Sequence, residues 1–143
     1  MTENQEEKTK FNTDVDWFLQ ILVSTVNKTS IDIGITLNVG GLIISGQLIN
    51  IKIYFEGLAQ EMALANADEP LKDAFQTMFR KIGSEYKLSS EESENENQPP
   101  PKFIHLKNAK MLLANGQKVP TNQGVWWRGR LSEVDGFSLG SLS

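Results

Sequence analysis

The spacing of apolar residues changes period along this chain, and the clearest first pattern is an alternation. Every second residue from 31 to 39 is apolar, which is typical of a strand with one buried face because neighbouring side chains point to opposite sides. Gly40-Gly41 then predicts a two-residue hairpin turn. Residues 42–48 form the predicted returning strand, in which Gly46 marks a bulge or a bend.

Apolar residues at spacings of three and four predict three helices. The first has about 14 residues, precedes the hairpin and is capped by Asp14 or Thr13. Its apolar side consists of Trp17, Phe18, Ile21, Leu22 and Val26. Two further stripes, within residues 51–62 and 71–82, are separated by a break in which Asp68 caps the third helix. We interpret both stripes as core packing rather than as the wall of a ligand pocket.

Three more strands are predicted in the C-terminal part, over residues 102–114, 124–130 and 135–142. Alternation places Trp127 on the core face of its strand and Trp126 on the opposite face, beside two arginines. A half-exposed indole flanked by guanidinium groups suits cation-π stacking and the binding of an acidic or apolar partner. The predicted partner-binding residues are Trp126, Arg128, Arg130, His105 and Lys107.

Together these elements predict an α+β fold. An N-terminal helix precedes a small, strongly bent antiparallel sheet or barrel of about five strands, similar to Sm or SH3 barrels, with two helices inserted after the second strand. Gly46 and Gly129 favour closure, because glycine kinks and bulges allow a short sheet to coil on itself. Residues 1–12 are predicted to be a disordered tail, and 13–143 a single domain interrupted by a disordered acidic linker at 84–101.

Composition adds limits to this picture. The chain has 143 residues, is 39% hydrophobic and contains no cysteine, which suits one domain without disulfides or thiolate metal sites. No stretch approaches the roughly 20 apolar residues that a membrane span requires, so we expect a soluble cytoplasmic protein.

Charge is unevenly distributed along the sequence. The linker at 84–101 carries five glutamates and one lysine, a local net charge of −4, whereas residues 102–143 sum to +4. This segregation favours salt-sensitive contacts between segments of opposite sign, within one molecule or between copies, although it also fits ordinary solubility chemistry. Likewise, the linker either simply joins two parts of the domain or makes weak multivalent contacts with basic surfaces of neighbouring copies.

Candidate catalytic chemistry is sparse. The only histidine, His105, lies in a predicted strand and is interpreted as a solvated or hydrogen-bonded side chain rather than as a ligand or base. There is no nucleophile elbow, phosphate-binding loop or dinucleotide fingerprint in the sequence. We therefore expect no enzymatic activity, no catalytic residues, no metal and no cofactor.

Several short motifs match a known protein family. They are FIHLKN at 103–108, WRGR at 127–130, EVDGF at 133–137 and a final Leu-Gly pair at 139–140, with a weaker match over 32–55. In these motifs the chain resembles the gas vesicle protein U family. The middle helical region, the acidic stretch and the first ten residues match that family in character more than in letters.

The resemblance implies an accessory role around the gas vesicle, a protein-walled, gas-filled compartment, and it implies no chemical reaction. The expected partners are shell proteins or other gas vesicle proteins and further copies of this chain, with an influence on vesicle assembly or clustering. Neither a membrane nor nucleic acid is an expected partner. The alternative is an Sm-like barrel that binds single-stranded nucleic acid, which the basic C-terminal part supports and a pI near 5.0 opposes.

Overall fold

Six antiparallel strands form one sheet in the computed structural model, which describes residues 14–85 and 99–142. The strands are β1 (Ile33–Val39), β2 (Leu42–Leu48), β3 (Phe103–Leu112), β4 (Lys118–Val119), β5 (Val125–Arg130) and β6 (Gly136–Leu139). Their order is β6-β1-β2-β3, and β4 and β5 both pair with the far edge of β3. The predicted α+β class is confirmed, whereas the barrel alternative is wrong, because this sheet does not close on itself.

The first hairpin follows the sequence prediction closely. β1 and β2 pair from Ile33 opposite Leu48 to Val39 opposite Leu42, and the intervening Gly40 and Gly41 both have positive φ angles. The register between β2 and β3 shifts around Gly46, which confirms the predicted bulge. A side chain at this position would lie 2.9 Å from the carbonyl oxygen of residue 107, so only glycine fits without a shift of the backbone.

In the described residues three α-helices accompany the sheet: α1 (Trp17–Asn27), α2 (Ile51–Ala63) and α3 (Glu69–Ser84). The residue that caps α1 is Asp16, whose carboxylate accepts a 2.9 Å hydrogen bond from the backbone N–H of Phe18. The predicted caps Asp14 and Thr13 are therefore wrong. Asn50 caps α2, because its side-chain oxygen accepts a hydrogen bond from the backbone N–H of Ile53. Asp68 occupies the predicted N-cap position of α3, but its side chain makes no capping hydrogen bond.

The main core lies between α1 and one face of the sheet. Its buried residues are Leu19, Val23, Val26, Ile35, Leu37, Ile44, Leu48, Ile104, Leu106, Ala109 and Leu131. The predicted apolar side of α1 is partly wrong, since Trp17, Phe18 and Ile21 are each more than half exposed. Nearly the whole circumference of α1 is apolar, so periodicity alone did not select the buried stripe.

Helix α2 lies against the opposite face of the sheet, and α3 packs on α2. The prediction that both helical stripes are core holds for Tyr54, which is buried, but not for α3. There the apolar side chains Leu71, Met78 and Ile82 are 40–50% exposed, because α2 covers only one flank of the helix.

The sheet is strongly bent, because β5 and β6 lie at opposite edges and yet are joined by a 3₁₀ turn, Leu131–Glu133. The turn is held by a 2.9 Å bond from the Leu131 N–H to the carbonyl of Lys102. Asp135 follows this turn and lies near the hairpin between β1 and β2. Its carboxylate accepts a 2.8 Å hydrogen bond from the backbone N–H of Gly40.

Both predicted disordered regions fall mainly outside the described residues. The N-terminal tail, 1–12, lies entirely outside them, and the acidic linker is described only at its two ends. At the first end, Ser84 is the last residue of α3. At the second end, the backbone carbonyl of Pro101 accepts a 2.9 Å hydrogen bond from the side-chain amide of Gln20 on α1. None of the helices in the described ranges is both long and apolar enough to cross a bilayer.

A cationic and aromatic face as candidate partner-binding site

Pairing between β3 and β5 brings most of the predicted partner-binding residues together. Arg130 lies opposite Phe103, and Arg128 lies opposite His105, whereas Trp127 lies opposite Leu106. Opposed residues of an antiparallel pair share a face of the sheet. Trp127 therefore packs against the main core, and the side turned towards α2, here called the outer face, consists of Phe103, His105, Trp126, Arg128 and Arg130.

Arg128 is held in place from two directions. Its guanidinium carbon lies 3.7 Å from the centroid of the Phe103 ring, a cation-π stack. Its Nε donates a 3.2 Å hydrogen bond to Nε2 of His105. The arginine is exposed, yet its guanidinium has little rotational freedom left to lose on binding.

His105 lies beneath this surface rather than on it. Its side chain is only 2% exposed, and its ring is packed against Tyr54 and Phe55 at centroid distances of 4.7 and 6.2 Å. Burial, reinforced by the positive charge of Arg128, lowers the pKa of His105 to about 3. The imidazole is therefore neutral near pH 7 and can accept the hydrogen bond from Arg128, so His105 positions the arginine from below.

Tyr54, predicted only as helix core, belongs to an aromatic cluster on the outer face. Its ring lies edge-on to Phe55 at 5.2 Å and edge-on to Trp126 at 6.5 Å. Burial raises the pKa of the Tyr54 hydroxyl, and the positive charge of Arg128 partly offsets this effect. The adjacent pair Tyr54-Phe55 in a helical stripe was the available sequence signal, but nothing in the spacing indicated which strand residues the rings would meet.

Trp126 is half-buried, as predicted, and α2 is what covers it. A side chain at Gly57 would lie 2.6 Å from Cε2 of the indole, so the ring packs directly on the helix backbone. Trp126 also lines a cavity of about 570 Å³ between α2 and α3. At that cavity an exposed ion pair joins Arg80 Nε to Glu56 at 3.2 Å.

The other two predicted residues occupy the edges of this region. Arg130 is exposed at the end of β5. Lys107 forms a 2.9 Å ion pair with Asp32, the residue that precedes β1. Both groups of that pair are well exposed, so the pair adds little to stability, and it occupies the Lys107 ammonium.

The described ranges hold no group of three or more His, Asp or Glu side chains arranged to bind a metal ion.

Comparison with known proteins gives one result. A protein-family model described as "Gas vesicle protein GvpU-like" matches residues 16–142. Neither a curated protein nor a solved structure matches the chain. The matched range begins at the N-cap of α1 and includes every helix and strand described above.

Proposed function

The chain belongs to the GvpU-like gas vesicle protein family, and from this membership we propose that it attaches to the gas vesicle surface or to shell proteins. Attachment influences vesicle assembly or the clustering of vesicles. In this proposal the protein is a non-catalytic accessory factor in the cytoplasm, and copies associate with each other through the acidic linker at 84–101.

The observation that carries this proposal is the preorganised arginine of the outer face. Arginine, tryptophan and tyrosine are the residues that most often dominate binding energy at protein interfaces. Here Arg128 is stacked on Phe103 and bonded to His105, with Trp126 and Arg130 on the same side of β5. Because its position is fixed before binding, a partner does not have to offset the entropy of ordering it.

Co-flotation with isolated gas vesicles tests the proposal. We expect the parent protein to rise with vesicles at low salt and less so at high salt, since screening weakens contacts between exposed charges. The Trp126→Ala/Arg128→Ala variant should bind about tenfold more weakly, the scale of losing interface hot spots. Parent protein that never travels with vesicles at low salt would refute attachment.

One control and one further variant separate binding from folding. Lys72→Ala removes one positive charge at the start of α3 and should leave flotation unchanged. Arg130→Glu changes an exposed side chain at the end of β5, so it tests the outer face without disturbing the aromatic cluster. Sedimentation of the protein alone at low and high salt reports self-association, which should decrease as salt rises.

A further inference from the structure

A groove of about 470 Å³ opens where the start of α2, the end of α3 and the start of β3 meet. Ile51, Phe55 and Ile82 supply apolar walls. Arg128 and Lys102 bring two positive charges to the same groove, and Glu85 brings one negative charge. This groove is separate from the cavity beside Trp126, with which it shares no lining residue.

Arg128 presents unused hydrogen-bond donors at this groove. A guanidinium has five N–H groups, and within the described parts of the chain the one on Nε is bonded, to His105. Within residues 14–85 and 99–142 no acceptor binds the two terminal amino groups. The stack on Phe103 and the bond on Nε fix the plane of the group, and the terminal edge is the one that binds carboxylates in a two-point geometry.

His105, which also lines the groove, has a second unused donor. Its Nε2 accepts from Arg128, and the ring is neutral, so the single ring proton is on Nδ1. Nδ1 is buried and has no partner among the described residues. A buried donor without an acceptor costs free energy. The contribution of the ring at the groove is the bond that holds Arg128 in place.

We propose that this groove binds the carboxylate of an acidic side chain in a peptide segment of a partner protein, with a neighbouring apolar residue against Ile51, Phe55 and Ile82. The inference rests on the proposed function, because it names the chemistry of the partner that the outer face recognises. Arg128 takes the carboxylate by two parallel hydrogen bonds, and Lys102 adds a second cation.

Charge balance favours a carboxylate over a phosphate. With His105 neutral, the charged lining residues that the structure describes, Arg128, Lys102 and Glu85, sum to +1. One carboxylate neutralises this charge, whereas a doubly charged phosphate exceeds it. The apolar walls also favour an occupant with carbon next to its anionic group, because they gain nothing from a small hydrated ion.

Titration of the full chain with short blocked peptides, followed by backbone amide NMR shifts, tests the groove. The probes are acetyl-Gly-Leu-Glu-Leu-Gly-amide, the same peptide with Gln for Glu, and inorganic phosphate. We expect the Glu peptide to shift signals of residues that line the groove and to bind at least about tenfold more tightly than the Gln peptide, the scale of a charge-assisted pair. Equal binding of both peptides, shifts located elsewhere, or tighter binding of phosphate would overturn the assignment.

Arg128→Lys keeps the charge but lacks the planar fork, so it should weaken Glu-peptide binding about tenfold. Arg80→Lys makes the same exchange in the exposed pair with Glu56 and should have no effect. A thermal unfolding curve close to that of the parent shows that the Arg128→Lys variant is folded. Parent protein that co-floats with vesicles but ignores the Glu peptide refutes only the groove, whereas peptide binding without co-flotation refutes the proposed function.

Discussion

The two faces of the sheet differ in what their side chains can do, although the same strands build both. The face towards α1 is an aliphatic core in which Leu106 and Ile35 are fully buried. The face towards α2 holds an aromatic cluster, a buried neutral histidine and an exposed arginine, with two open grooves. Trp127 and Trp126, neighbours in sequence, fall on opposite sides of this division.

The same strands therefore present two faces of different side-chain chemistry. Alternation along β3 and β5 sends every second residue into the core, and that requirement leaves the intervening positions available for binding. The outer face is therefore supported by a rigid sheet but is not needed to close the main core. Substitutions on the two faces should accordingly have effects of different size.

The largest effect is expected on the core face. Leu106→Ala leaves a cavity among fully buried neighbours and should lower the free energy of unfolding by about 2–5 kcal/mol. Urea denaturation followed by circular dichroism measures this loss. Leu64→Ala removes the same atoms at a residue that is 83% exposed and should change stability by less than about 0.5 kcal/mol. A loss of similar size for both variants would mean that the α1 face is not the stabilising core.

The next effect is a pH dependence that originates from His105. Its pKa is about 3 in the folded protein and near 6.5 when unfolded, so below pH 6.5 only the unfolded state binds the proton. The contribution of His105 to the free energy of unfolding is therefore fully present above pH 6.5 and is lost as the pH falls towards 3. The expected loss is about 2 kcal/mol between pH 7.5 and 5, at about 1.4 kcal/mol per pH unit.

His105→Gln provides the comparison for that measurement. It removes the titrating ring but keeps an acceptor for Arg128, so denaturation midpoints of the variant should change less over the same pH range. Most carboxyl groups titrate below this range and contribute little to the difference. Parallel pH profiles for the two proteins would show that His105 is not buried in its neutral form.

The smallest effect concerns the contact between Trp126 and Gly57. Gly57→Ala places a methyl group inside the space of the indole and should cost about 1–2 kcal/mol, despite the better helix propensity of alanine. In a Trp126→Ala background the same change should instead stabilise the protein by up to about 1 kcal/mol. A double-mutant cycle of unfolding free energies measures the coupling, and additive effects would contradict the packing described for these two residues.

Much of the fold was predictable because local rules and tertiary structure agree. The first hairpin follows from alternation and from Gly40-Gly41, and the opposed placement of Trp126 and Trp127 follows from the pleat. The two-residue strand β4 was missed, since so short a segment has no periodicity to detect. Openness of the sheet was not predictable either, because bulges bend strands without deciding whether the edges meet.

The outer face was predicted in part, and its supporting layer was not. Arg128 and Trp126 were identified from β5 alone, whereas the burial of His105 depends on α2, a helix distant in sequence. Gly57 was the one residue of α2 whose type indicated close packing by another part of the chain. A glycine inside a helical stripe costs about 1 kcal/mol relative to alanine, and such a position often marks a close approach by another group.

The strand ladders and the hydrogen bond from Gln20 to Pro101 join the parts of the chain before and after residues 86–98. Strand β3 follows residues 86–98 in sequence and pairs with β2, which precedes them, while β6 returns to β1. The two halves of the chain are thus joined by ladders that do not depend on the intervening stretch. Separately produced fragments ending and beginning within that stretch therefore have the elements required for complementation into one native unit.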